Sequence, residues 1–147
     1  MVLAEIGSGA YNVMLLIHIV AVVVGFAPAF FTPVLMRLSA NGQTAAADAL
    51  EKTLLRYALP GIGIAGFIGF GLAGMSDKVY SVSQTWLSIA AILWVVALLD
   101  ILFVARPALK KWIAGDTAAR GQVMASTGVL HLILIVTIIL MIWKPGL

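Results

Sequence analysis

Three ionisable side chains lie within long apolar runs of this sequence: His18, Asp100 and His131. The two histidines are the chain's full complement of that residue. Ionisable groups at membrane depth are rare and point to function by default. Imidazole is a suitable axial ligand for haem iron inside a helical bundle. Each histidine also has a glycine on its own helical face: Gly25 two turns beyond His18, and Gly128 one turn before His131. A missing side chain beside a ligating imidazole would let a porphyrin lie against the helix, so His18, Gly25, Gly128 and His131 form a candidate haem b site. The bland alternative is that each histidine is neutral and bonds a neighbouring hydroxyl or carbonyl. Asp100 would either orient His131 as an outer carboxylate, relay protons, or pair with a snorkelling Arg37 or Arg56. Arg106 is a poor partner for Asp100, because six residues along a helix turn it to another face.

These residues need elements to hold them, and composition says which. Of the 147 residues, 63% are hydrophobic and 10% charged, against roughly 45–50% and 25% in soluble domains. Mean hydropathy is +1.12. Fifteen charged side chains cannot cover so much apolar surface in water, so a bilayer is the fitting solvent. With no cysteine, disulfides, thiolate nucleophiles, iron–sulfur clusters and cysteine zinc sites are excluded. A span needs about 20 mostly apolar residues, and four segments qualify, at about 11–36, 57–75, 86–105 and 124–143. All four are expected to be helical, since a lone strand in lipid leaves its backbone unsatisfied. The predicted fold is all-α: a polytopic four-transmembrane-helix bundle forming one domain over residues 1–147. The first span is read as retained rather than as a cleaved signal, because no basic segment precedes it.

Charge predicts the direction of the spans. Arg37, Lys52, Arg56, Arg106, Lys110, Lys111 and Arg120 fall on one side, and Lys78 and Lys144 on the other. By the positive-inside rule the first and third loops are cytoplasmic and both termini face outward. Tyr11, Tyr80, Trp86 and Trp143 then mark the outer interface, and Tyr57 and Trp112 the inner one. Trp94 falls near mid-membrane, outside this pattern. Residues 44–55 are expected to extend the second helix or to lie on the membrane surface. Pro107 suits the first turn of a short interfacial helix through Trp112, stopped at Gly115. Asp116 or Thr117 would cap the run into the fourth helix.

The second span carries Gly61, Ala65, Gly69 and Ala73 at four-residue spacing, with Gly66 and Gly74 at double that spacing. Such rows let helix backbones approach closely in lipid, or leave room for a flat cofactor. The first span carries His18, Ala21, Gly25, Ala29 and Thr32 on one face, which should point into the bundle. Depth limits the haem geometry. At about 1.5 Å per residue, His18 lies roughly 9 Å outward of its span centre and His131 a few ångströms inward of its own, a mismatch of roughly 13 Å. One haem bridged by both is therefore disfavoured within one chain. Ligation by one histidine, two separate sites, or a ligand from a second chain remain. Asp100, roughly 7 Å to the cytoplasmic side, lies close to the depth of His131.

Two stretches carry a resemblance. LLIHIVAVVVGFAPAFFTPVLMR sets a histidine and then a glycine in an apolar run that ends on a basic residue. WLSIAAILWVVALLDILFVARPALKK ends in a basic-proline turn. Together they resemble small bacterial four-helix integral membrane proteins of unknown function, and more loosely the copper-resistance-D-type membrane proteins and the four-helix membrane protoporphyrinogen oxidases. The resemblance covers about a third of the chain and implies a bacterial cytoplasmic-membrane location, with the first-helix histidine, His18, on a haem. The oxidases also use a membrane lysine, and no lysine lies inside a span here. Copper transport would need clustered soft ligands, whereas Met1, Met14, Met36, Met75, Met124 and Met141 are scattered.

The expected function is a b-type haem bundle that passes electrons or handles porphyrin, with the bilayer and a second copy or a larger membrane complex as partners. Nucleic acid is not an expected partner. A non-catalytic accessory subunit of a membrane complex is the alternative, and an oligomeric proton- or ion-coupled carrier using Asp100 and His131 a further one. No hydrolase constellation is visible, so enzyme chemistry would need a bound cofactor.

Overall fold

The computed structural model describes residues 6–146 as four helices: α1 (Gly9–Ala40), α2 (Thr44–Gly74), α3 (Thr85–Ile113) and α4 (Ala119–Trp143). All four are long and apolar enough to cross a membrane. Successive helices run in opposite directions, so the α1–α2 and α3–α4 loops share one end, here the basic end. The α2–α3 loop shares the other end with the termini.

α1 starts where Ser8, in extended conformation, accepts a hydrogen bond from the Tyr11 amide at 3.2 Å. That satisfies one of the free amides of a first turn. It runs unbroken through Pro28 and Pro33, and the Thr32 hydroxyl donates back to the Pro28 carbonyl at 2.9 Å. Gly42, at φ +91°, makes the turn into α2.

α2 and α3 share a local device. Each contains one π-helical turn, Leu54–Ala58 and Ile101–Ala105, followed two residues later by Pro60 and Pro107. A proline ring clashes with the carbonyl four residues back and lacks the amide to bond it. Those carbonyls belong to Arg56 and Phe103, inside the two widened turns. The amides of Leu59 and Arg106 reach back five residues, to Leu54 and Ile101. The widened turn thus carries each helix past its proline. This corrects the expectation of a separate short helix beginning at Pro107: that segment is the tail of α3, which ends before Gly115 at φ +98°. Residues 44–55 are the first turns of α2 rather than a surface segment. At the start of α4, the Asp116 carboxylate accepts from the Ala118 amide at 3.0 Å.

The α1–α2 contact is set by glycine. A Cβ placed on Gly25 would stand 2.6 Å from the Ile62 nitrogen, and one on Gly61 would stand 2.7 Å from the Gly25 Cα. Only bare backbone allows that crossing, as a small-residue row in an apolar medium predicts. α3 meets α2 through Trp94, whose ring covers Gly66 and whose Nε1 donates to the Ile62 carbonyl at 2.8 Å. Its mid-span position is thereby explained by packing and not by an interface. The larger core lies toward the basic end and includes Met36, Leu50, Ile62, Ile101 and Leu109. A smaller one, with Trp86, Leu87 and Leu140, closes the opposite end. Large apolar side chains such as Phe67, Phe103 and Trp143 remain exposed on the outside of the bundle.

Candidate functional site

His18 projects from α1 toward the small-residue row of α2. Its Nδ1 stands 2.8 Å from the carbonyl oxygen of Ala65. A carbonyl oxygen only accepts, so Nδ1 carries the proton and donates. In the neutral ring the other nitrogen, Nε2, then holds a free lone pair. This is the carbonyl bond of the packing alternative for His18; it is equally the arrangement in which ligating histidines are held, with a hydrogen bond to one nitrogen fixing the tautomer and aiming the other. Gly69 lies one turn beyond Ala65, and a Cβ placed there would come within 3.2 Å of the His18 Cε1. The imidazole therefore rests against bare backbone on α2, held in position by a bond across two helices.

The other residues of the predicted site are dispersed. Gly25 faces the backbone of Gly61 and Ile62, so its missing side chain serves the helix crossing. His131 meets Phe30 edge to face, with ring centroids 4.6 Å apart and planes at 68°. Gly128 has no atom within 4 Å of a notional Cβ, so its face is open. Phe30 lies twelve residues beyond His18 on α1, or roughly 18 Å along the helix axis. Two axial ligands of one iron must approach from either side of a single plane, and a separation of this size forbids that within one chain.

Asp100 is buried where α3 faces α4, and its Oδ2 accepts a short hydrogen bond from the Ser126 hydroxyl. Thr127, also buried, donates to the Val123 carbonyl at 2.9 Å. Neither His131 nor an arginine holds the Asp100 carboxylate. Arg106 turns instead to Glu51 at the head of α2, with Nε and Oε1 3.9 Å apart. Sequence reasoning did not single out Ser126, although a hydroxyl within an apolar run facing a buried carboxylate was there to be paired. Nor did it single out the Ala65 carbonyl, which no side-chain pattern announces.

Among the described residues no group of three or more His, Asp or Glu side chains is arranged to hold a metal ion. Compared with protein-family models, with curated proteins and with solved structures, the chain matches none.

Proposed function

We propose that the chain is a multi-pass membrane protein that binds haem b through His18 Nε2 and serves electron transfer or porphyrin handling. One observation carries this reading: the Nδ1–H of His18 is committed to the Ala65 carbonyl, leaving Nε2 as the free ligand atom. The bond also holds the ring in place. Bound haem would supply one-electron chemistry. The chain's own contribution is to orient the imidazole against the Ala65–Gly69 backbone and to keep the surroundings apolar. His131 is too far away to join His18, so His18 would be the residue of this chain that holds the haem.

The bilayer part of the proposal rests on the four apolar helices and on the distribution of Lys and Arg. Seven lie at the end bearing the α1–α2 and α3–α4 loops and two at the other. That asymmetry favours a cytoplasmic basic end with both termini outside. Haem binding is tested by visible spectra of the detergent-purified chain after addition of haemin, oxidised and then dithionite-reduced. A Soret band with sharpened bands on reduction is expected. A preparation that stays colourless after haemin addition and detergent exchange contradicts the reading.

A further inference from the structure

Arg56 lies in the π-turn of α2, exposed on the outside of the bundle. It is twelve residues beyond the start of α2 at Thr44, roughly 18 Å up the helix axis. The ion pair found among the described residues joins Arg106 to Glu51, and no carboxylate among them lies within 4.0 Å of the Arg56 guanidinium. It lines a groove of about 320 Å³ between α1 and α2, with Tyr57 beside it and walls of Ile17, Val20, Val24 and Ile64. From Arg56 to Ile64 the groove rises eight residues along α2, roughly 12 Å. That approaches half of a hydrocarbon core about 30 Å thick, the depth one acyl chain of one leaflet occupies.

A guanidinium facing hydrocarbon is costly unless an anion meets it or it reaches the headgroup layer. Its planar fork of donors matches a phosphate. We infer that this groove is a binding site for an anionic phospholipid of the leaflet on the basic side. Its phosphate sits on the Arg56 guanidinium, with the Tyr57 hydroxyl as a second donor, and one acyl chain lies along Val24, Val20 and Ile17. The inference rests on the bilayer part of the proposed function and is independent of haem.

The test is native mass spectrometry of the full chain released from detergent after incubation with phosphatidylglycerol or, in parallel, phosphatidylcholine. Wild type should retain phosphatidylglycerol about tenfold more tightly than phosphatidylcholine. R56Q should lose that preference, R56K should keep part of it, and K52Q, which changes a neighbouring cation outside the groove, should leave it intact. V24F, which narrows the groove while retaining Arg56, should weaken retention of both lipids. Equal retention by wild type and R56Q means an arginine that only snorkels, and overturns the site. A dimer in wild type that dissociates in R56Q would assign the arginine to a second copy and also overturn it. A chain recovered from cells without detergent would defeat the bilayer reading itself, whereas a detergent-dependent chain without lipid preference defeats only the lipid site.

Discussion

A backbone carbonyl holds His18, and the Phe30 ring meets His131 edge to face. The first contact uses up one ring nitrogen and points the other, while the second constrains the ring without choosing between its nitrogens. Asp100, near the basic end, resembles His18 in this respect, since the Ser126 hydroxyl commits one carboxylate oxygen. Ligand chemistry requires a group that is both fixed and left with a free lone pair, and His18 meets that requirement best. The glycines divide in the same way. Gly25 and Gly61 close a helix crossing, whereas the face of Gly128 is open.

The largest expected effect separates these glycines. Gly25→Leu forces a side chain into the backbone of α2 and should cost about 3 kcal/mol or more in detergent-solubilised stability. Gly128→Leu should change stability by less than about 0.5 kcal/mol. Thermal unfolding of the two variants side by side reads the contrast, and equal losses would mean that α4 packs against something at Gly128. Next in size is the buried hydroxyl–carboxylate pair. Asp100→Ala leaves the Ser126 hydroxyl without its acceptor and should cost about 1–3 kcal/mol. Asp100→Asn retains an acceptor oxygen and should cost less, so denaturation midpoints that fall equally would remove the hydrogen bond from the account. Trp94→Phe, which keeps the ring over Gly66 but gives up the bond to the Ile62 carbonyl, should cost about 1 kcal/mol. The smallest effect is at the aromatic edge. His131→Leu should cost only about 0.5 kcal/mol, and a much larger loss would give His131 a partner beyond Phe30.

Much of the scaffold was legible from residue types alone. The four helices follow from apolar runs too long for anything else, and the row Gly61, Ala65, Gly69 on α2 announced a close approach by another helix. That this helix is α1, crossing at Gly25, was not legible, because spacing gives a face and not its partner. The π-turns were not legible. Pro107 in a basic context reads as the start of a new helix, and only the hydrogen bond from Arg106 back to Ile101 shows how one helix continues. The position of Trp94 likewise became intelligible once Gly66 was seen beneath it. For the site, the sequence picked out His18, Asp100 and His131 by their rarity in apolar runs. It could not say what each touches, because the partners that decide their roles are a carbonyl at Ala65, a hydroxyl at Ser126 and a ring at Phe30.

The central claim is that His18 alone presents a free, oriented ligand nitrogen. Haemin titrated into wild type, His18→Ala and His131→Ala, read at the Soret band in the same detergent, tests it most directly. The account predicts that His18→Ala abolishes the ligated spectrum, that added imidazole restores it, and that His131→Ala titrates like wild type. A His18→Ala variant that binds haemin with an unchanged spectrum, or a His131→Ala variant that alone loses it, would contradict the account.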